Sequence, residues 1–427
     1  ECRIDLKASA APANLRSTGQ HLGFDKCTLE KLSGTIEASK TMPPIGSGQP
    51  YYTYLKSTID ADLTGLRYDQ YLFDTFQADL QSDGNSVTLE KAKAIRKTNE
   101  IAIDGKYQLP LPNEKISDQP GNFEFTLQAP DLAEFWAPDA ANKISGSLQG
   151  HGQVLFRNGL LDGQLTLNGA DIRARDLLIK QFTIEATSAR SVVYLNDLRA
   201  TMNEKDYVGA NGKIALAKPF PYNGSLNANL QDLSTFEPLL RALDHPTSLA
   251  GSLNITWQGS GDAATIKNSG QLKVNLEKGR FANLLGLQAN IETNYTPEGL
   301  NAPTIYLRSE KMDFQATMEA KGSRLEITKI QLNQGGAKYA TASLSLPFNW
   351  ENLGTGKPLF PSDGKVTANL QSENLDLKKL FEDLGMTPPI LGQVNVKADA
   401  QGTLDHLTAA LDWRLTEGPN GSRTVWC

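Results

Sequence analysis

Apolar and polar residues alternate along most of the chain, and this period of two predicts β-strands with one dry face and one wet face. In the segment 364–370, Val366 and Leu370 fall on one side of the pleat, while lysine, threonine and asparagine occupy the other. Glycine and asparagine–glycine pairs separate such runs, as turns require. Long helical patterns do not occur, so the sequence predicts a mainly antiparallel, all-β fold.

One layout recurs three times along the chain. A strand that begins at Gly121, Gly224 or Gly364 is followed by a short helix-like stretch, at 131–136, 234–240 and 376–381. A glycine-led strand then returns at Gly146, Gly251 and Gly392, which is 25, 27 and 28 residues after the first glycine. Repetition of this order predicts an elongated β-repeat protein with one short helix per unit.

The repeat divides the chain into four predicted segments. These are an incomplete β-segment at 1–120, repeat units at 121–223 and 224–363, and a truncated unit at 364–427. Asp131, Ser234 and Asp376 are the expected N-caps of the three short helices, because their side chains can accept from orphan backbone N–H groups.

A sheet with one apolar face must cover that face. Because the helices are short and few, two arrangements stay open: closure into a sandwich or barrel, or a curled sheet whose apolar groove takes apolar ligands. The groove interpretation assigns the lining to thirteen apolar residues. They are Phe123, Phe125, Leu127, Leu148, Leu226, Leu230, Leu253, Ile255, Trp257, Val366, Leu370, Val394 and Val396.

Composition narrows the classes of function. The 427 residues carry a net charge of −6, which argues against a nucleic-acid partner because phosphate binding needs a basic surface. The sequence contains no run of 18 apolar residues, so it predicts no membrane-spanning helix. The three cysteines fit no metal-binding pattern, and a bridge between Cys2 and Cys27 stays open.

Signatures of catalysis are missing from the sequence. It contains no zinc-protease motif, no nucleophile elbow and no phosphate-binding glycine loop. Asp60–Gly65 imitates the start of a calcium loop, but Tyr71 stands where a bidentate glutamate is needed. We therefore expect a protein without catalytic residues, bound metal or cofactor, and not an enzyme.

The glycine-led strand, leucine/phenylalanine helix and return strand resemble the AsmA-like proteins, and among them the TamB translocation and assembly module. The likeness rests on segments such as 224–240 and 392–403 and extends over roughly residues 50–415. The resemblance implies a taco-shaped β-groove in the periplasm of a Gram-negative bacterium, with an inner-membrane anchor outside this chain. It implies transport of phospholipid between the inner and outer membranes, with acyl chains and an outer-membrane β-barrel as partners.

Two other functions stay open at this stage. One is a scaffold or chaperone that offers strand edges to outer-membrane protein clients during assembly or translocation. The other is a closed β-sandwich array with a structural or adhesive role.

Overall fold

The structure is a computed structural model of the chain. It describes residues 2–8, 27–28, 30–40, 55–111, 113–136, 143–174, 177–237, 248–265, 267–281, 284–310, 312–334, 337–352, 356–383, 387, 391–416 and 424–426. Strands account for most of these residues, and the prediction of an all-β fold is confirmed.

The strands are numbered in chain order. Their bounds are β1 Cys2–Ala8, β2 Cys27–Thr28, β3 Lys31–Lys40, β4 Leu55–Tyr68, β5 Tyr71–Ser82, β6 Ser86–Arg96, β7 Asn99–Gln108, β8 Gly121–Ala129, β9 Ile144–Arg157, β10 Leu160–Ala174, β11 Leu177–Ala189, β12 Val192–Thr201, β13 Tyr207–Ala215, β14 Pro221–Leu230, β15 Leu249–Asp262, β16 Lys267–Phe281, β17 Leu284–Thr296, β18 Gly299–Arg308, β19 Met312–Lys321, β20 Arg324–Gln334, β21 Ala337–Pro347, β22 Lys365–Asp376, β23 Gln393–Thr403, β24 Leu407–Thr416 and β25 Thr424–Trp426.

The chain packs as two compact units. Unit 1 comprises residues 1–204 and 211–217, and unit 2 comprises residues 205–210 and 218–427. The four-segment division predicted from the repeat is not tested by this packing and stays a prediction.

Unit 1 is an antiparallel meander in which each strand from β3 to β12 pairs with the next; β1 and β2 pair with β3 and β4. Unit 2 continues the pattern from β14 to β25. Within each unit the ladder is open, because among the described strands no pairing joins its first strands to its last into a barrel. The predicted alternative of closure into a barrel is therefore not observed in these strands.

The short helices are only partly as predicted. Leu132–Phe135 is a 3₁₀ turn, Leu233–Phe236 is a 3₁₀ turn followed by the α-helical residue Glu237, and Leu377–Asp383, helix α1, is α-helical. Two further 3₁₀ turns, Ile116–Asp118 and Trp350–Asn352, were not predicted. The predicted stretch at 234–240 is described as far as residue 237.

Two of the three predicted caps are correct. Asp131 accepts from the Ala133 N–H at 3.0 Å, and Asp376 accepts from the Lys379 N–H at 3.1 Å. The prediction of Ser234 is wrong, because Asp232 caps this turn and accepts from the Ser234 N–H at 3.0 Å. The turn starts two residues earlier than the helix period suggested, which places the aspartate at the capping position.

A buried polar side chain fixes the chain after β8. Asn99 at the start of β7 is fully buried, donates to the Asp131 carbonyl at 2.7 Å and accepts from the Asp131 N–H at 3.1 Å. In unit 2, fully buried Asp206 accepts from the Gln231 N–H just after β14. In both units, therefore, a buried polar side chain holds the segment that leads into the 3₁₀ turn. It forms hydrogen bonds with backbone groups that no longer pair with a neighbouring strand.

Candidate functional site

One face of the unit 1 sheet is apolar from strand to strand. Residues that pair directly across an antiparallel ladder lie on the same face, so the register defines the face. One row runs from β4 to β12 through Leu63, Phe76, Ala94, Ile101, Leu127, Gly150, Leu167, Ile184 and Leu198. We call this surface the unit 1 apolar face.

The four lining residues predicted in unit 1 lie on this face. Phe123, Phe125 and Leu127 alternate along β8, and Leu148 of β9 pairs with Ala129 at the end of β8. Phe125 stands between Ile103 of β7 and Gly152 of β9. Leu127 stands between Ile101 and Gly150, so the predicted residues form adjacent rows.

The opposite face of unit 1 is polar. Here Glu124 accepts from the Gln153 side-chain amide at 2.9 Å, and Gln77 donates to Asp62 at 3.0 Å. Each strand therefore separates an apolar surface from a hydrated one, as the period of two predicted.

Unit 2 has an apolar face of its own, built by the same rule. Its central row passes through Ala228, Ile255, Val274, Ile291, Ile305 and Ala316. On the later strands the face continues with Ile327, Leu344, Ala368 and Ala400. We call this surface the unit 2 apolar face.

The nine lining residues predicted in unit 2 lie on that face. Leu226 pairs with Trp257, and Leu230 pairs with Leu253, across β14 and β15. On β22 and β23, Leu370 pairs with Ala398, and Val396 pairs with Ser372. The remaining members, Ile255, Val366 and Val394, alternate with these residues along the same strands.

Both apolar faces are only partly buried. Among the thirteen predicted lining residues, Leu230, Val366 and Val394 are buried, while nine are half-buried by their neighbours in the sheet. Leu370 is 40% exposed, and Ile103 and Leu411 on the same surfaces are 40% and 57% exposed. The principal contacts between described elements are those of neighbouring strands and of the short turns beside them, and most of these apolar side chains keep part of their surface accessible.

At one end of the unit 2 apolar face the surface deepens into a cleft of about 1020 Å³. Trp257, Leu272, Tyr295, Leu300 and Trp350 supply its apolar and aromatic walls, and we call it the Trp257 cleft. Only Trp257 was predicted as a lining residue. The other four were missed because strands β15 to β18 and the Trp350–Asn352 turn come together through register and chain return, which a local period does not reveal.

Hydrogen bonds fix the polar atoms around this cleft. The Trp257 indole Nε1 donates to the Tyr295 hydroxyl at 2.7 Å, and the Tyr222 hydroxyl donates to Asn268 Oδ1 at 2.8 Å. Burial, with a smaller contribution from Tyr295, raises the pKa of Tyr222 above its usual value. The Tyr222 phenol is therefore a neutral hydrogen-bonding group at physiological pH.

A second electrostatic feature lies on strands β4 and β5 of unit 1. Asp60 and Asp79 pair directly across the ladder. The hydrogen bond that protonated Asp79 donates to the Asp60 carboxylate raises the pKa of Asp79, and desolvation and the nearby Glu90 and Asp62 charges add to this shift. The same pairing, together with the Thr35 hydroxyl, lowers the pKa of Asp60. The segment Asp60–Gly65 lies inside strand β4, so it is not the calcium-type loop that it imitates in sequence.

Nowhere in the described ranges do three or more metal-ligating side chains come together. None of the helices that the structure describes is long and apolar enough to cross a bilayer. Cys2 and Cys27 lie in β1 and β2, but their side chains are outside the described part, so a bridge between them is not tested.

In comparisons with known proteins, no family model, no curated protein and no solved structure matches the chain. The resemblance to the AsmA-like proteins therefore stays a hypothesis carried by the repeat pattern.

Proposed function

We propose that the two apolar faces bind phospholipid acyl chains and that the protein is a non-enzymatic lipid-transport conduit. In this proposal it belongs with the AsmA-like proteins, next to the TamB module. It acts in the periplasm of a Gram-negative bacterium and carries phospholipid between the inner and outer membranes through a hydrophobic β-groove. An anchor outside this chain would hold it at the inner membrane.

The observation that carries the proposal is the run of apolar cross-strand neighbours in each unit, with one register shift in unit 2 between β19 and β20. A row such as that from Leu63 to Leu198 presents an apolar residue or glycine on every strand it crosses. Surfaces of this extent are rare on soluble proteins unless they bind something. At about 25 cal/mol per Å² of apolar area removed from water, an acyl chain on such a face gains several kcal/mol.

The mechanism that follows is passive. Acyl chains lie against the apolar face, while the headgroups stay in contact with water. Direction and energy are assigned to partners, among them an outer-membrane β-barrel protein.

Charge insertion at the middle of the unit 2 apolar face tests the proposal. Ile255→Asp places a carboxylate between Ala228 and Val274 on the apolar face. Thr256→Asp is the matched control, because it adds the same charge one residue along β15, on the exposed opposite side. Native mass spectrometry with lipid extraction should find several phospholipids per wild-type chain, a sharp loss in Ile255→Asp and no loss in Thr256→Asp.

A folded wild-type chain that retains no phospholipid would refute the conduit. Equal lipid in both variants would refute the assignment of the face. Circular dichroism and a thermal melt of each variant verify that the chains compared are folded.

A second function is favoured by strand β24. Leu407–Trp413 pairs with β23 on one side, while β25 pairs only with Arg414–Thr416 among the described strands. Leu407 is 54% exposed and Leu411 is 57% exposed. An open edge of this kind can accept an extended client strand, as a scaffold for outer-membrane proteins would require.

Proline at this edge separates the two functions. The test variant carries proline at position 409 or 410, at whichever of these alanines has its N–H directed away from β23. Proline has no N–H, so the variant lacks a hydrogen-bond donor that only an added strand would use. A scaffold loses client binding in this variant and keeps it in Ile255→Asp. A conduit keeps its phospholipid in the proline variant and loses it in Ile255→Asp.

A further inference from the structure

We propose that the Trp257 cleft is a discrete binding site for one amphiphile that has an alkyl chain and a zwitterionic phosphate–ammonium head. The site shares the unit 2 apolar face with the proposed conduit, and it gives that face a defined position for a headgroup. Binding at the cleft does not require transport, so the two proposals can fail separately.

Two facing glycines shape the base of the cleft. Gly259 of β15 pairs with Gly270 of β16. A Cβ at position 259 would lie 2.6 Å from Cζ2 of Trp257, and one at position 270 would lie 2.6 Å from the Tyr295 hydroxyl. Because neither glycine has a side chain, both aromatic rings lie down on the sheet and meet in the 2.7 Å hydrogen bond. The base of the cleft is therefore a fixed aromatic surface.

The Trp350–Asn352 turn forms the facing wall. The Trp350 indole Nε1 donates to the Thr296 carbonyl at 3.0 Å, which ties this turn to the end of β17. Phe348, which is buried, contacts Trp350 with ring centroids 6.2 Å apart and supports it from behind. The volume of about 1020 Å³ lies at the upper end of the roughly 300–1,000 Å³ typical of small-molecule sites.

Hydrogen-bond donors collect on one part of the rim. The Tyr295 hydroxyl accepts from Trp257, which leaves its own proton free to donate. Asn268 Oδ1 accepts from Tyr222, so the Asn268 amide N–H groups are available to a ligand. The Lys321 ammonium stands in the same lining. Donors and a cation together fit a phosphate group.

The charges that remain on the rim have opposite signs. The Thr296 hydroxyl, then the backbone N–H and the nearby Lys267, lower the pKa of Glu298, and both Lys267 and Glu298 line the cleft. Lys321 and Glu351 form no ion pair among the described side chains. Glu351 follows Trp350, and a carboxylate beside an indole ring suits an ammonium group. Charges of both signs on one rim complement a zwitterion.

Isothermal titration with three dodecyl amphiphiles, each below its critical micelle concentration, tests the site. Dodecylphosphocholine should bind once per chain. Dodecyl phosphate and dodecyltrimethylammonium should each bind about ten-fold more weakly, because each loses one charge-assisted contact. Phosphocholine without a chain should show no binding.

Paired charge reversals sharpen the result. Lys321→Glu should weaken dodecylphosphocholine about ten-fold without weakening dodecyltrimethylammonium, and Glu351→Lys should weaken dodecylphosphocholine without weakening dodecyl phosphate. Lys365→Glu is the matched control, because this exposed lysine lies at the start of β22 and outside the cleft, and it should change nothing. All three substituted positions are exposed, so folding should persist, and a thermal melt verifies it.

Equal affinity for the three amphiphiles, or no effect of either reversal, would overturn the proposal. Binding of phosphocholine alone with the same affinity would also overturn it, because the chain would then contribute nothing. Loss of phospholipid in Ile255→Asp with dodecylphosphocholine binding unchanged would leave both proposals standing. A wild-type chain that binds dodecylphosphocholine but retains no phospholipid would refute the conduit alone.

Discussion

A glycine lies at or near the start of each of the three return strands, and the backbone conformation explains why. Gly146, Gly251 and Gly392 have φ values of +108°, +104° and +129°, which side chains disfavour. At each, a Cβ would also meet a backbone carbonyl of the next strand: Asp171 at 2.5 Å, Glu277 at 2.6 Å and Thr416 at 2.9 Å. The sequence shows that these glycines recur, but the sign of φ and the close approach are visible only in the structure.

Gly251→Ala is expected to lower the free energy of unfolding by about 2–3 kcal/mol, since it combines a disfavoured φ with a backbone clash. Gly356→Ala is the control: its φ is +76° and no atom lies within 4 Å, so strain alone should cost about 1 kcal/mol. Urea unfolding of the two variants measures both values. Equal losses would show that the clash at position 251 is relieved by movement of the chain.

The Asp60–Asp79 pair makes a pH-dependent prediction at the same scale. The raised pKa of Asp79 means that the folded state holds this proton more tightly than the unfolded state. The contribution of Asp79 to the free energy of unfolding is therefore fully present below its ordinary pKa of 3.8. It is lost as the pH rises through the raised pKa of the folded state. Asp79→Asn should raise Tm at pH 7, where two carboxylates would otherwise face each other.

At pH 3 the Asp79→Asn variant and the wild type should melt together, because Asp79 is then protonated. High salt should reduce the gain at pH 7, since the pair is exposed and its repulsion is screened. A gain in Tm of equal size at both pH values would contradict the electrostatic explanation.

Among the elements, the strands could be predicted far better than the helices. A period of two identifies β8, β14 and β22 and separates their faces, because every second side chain points the same way. Leu132–Phe135 and Leu233–Phe236 are so short that apolar residues spaced three and four apart cannot distinguish a 3₁₀ turn from the start of an α-helix. Ser234 and Asp232 are both capping residues, and spacing could not decide between them.

Register is the part of the elements that the sequence leaves undetermined. The bulge in β16 between Leu276 and Gly279, opposite Ala289 and Leu287, keeps both segments of the strand on the apolar face. The Trp257 cleft depends on the pairing of Gly270 with Tyr295 near the other end of β16, and on Trp350, which lies 54 residues from its acceptor Thr296. Neither relation can be inferred from a local pattern, which explains why four of the cleft residues were missed.

Asn99 supports the 3₁₀ turn Leu132–Phe135, which packs against β5, β7 and β9. Asn99→Ala should lower the free energy of unfolding by about 2–3 kcal/mol, because it leaves the Asp131 N–H and carbonyl without partners in a buried setting. Faster hydrogen exchange in residues 131–136 should accompany the loss. Asn196→Ala, which removes one exposed contact to Thr187 at 3.3 Å, should change stability by less than about 0.5 kcal/mol. Similar losses in both variants would contradict the role of Asn99.

For the molecule as a whole, the central claim is that the apolar faces meet lipid. The register places every predicted lining residue on the apolar face of its own unit, and most of these side chains keep part of their surface accessible. Which residues share a face followed from the sequence. The sequence could not show what occupies the face, because a dry protein interior and a lipid-binding surface require the same apolar side chains.

A photo-crosslinking scan along β15 tests that claim most directly. A diazirine side chain replaces each residue from Leu253 to Gln258 in turn, in protein made in a Gram-negative host with radiolabelled phospholipid. Adducts should form at positions 253, 255 and 257 and be missing at 254, 256 and 258, because only the first set lies on the apolar face. Equal labelling at all six positions, or none at any of them in a folded chain, would contradict lipid binding by the apolar face.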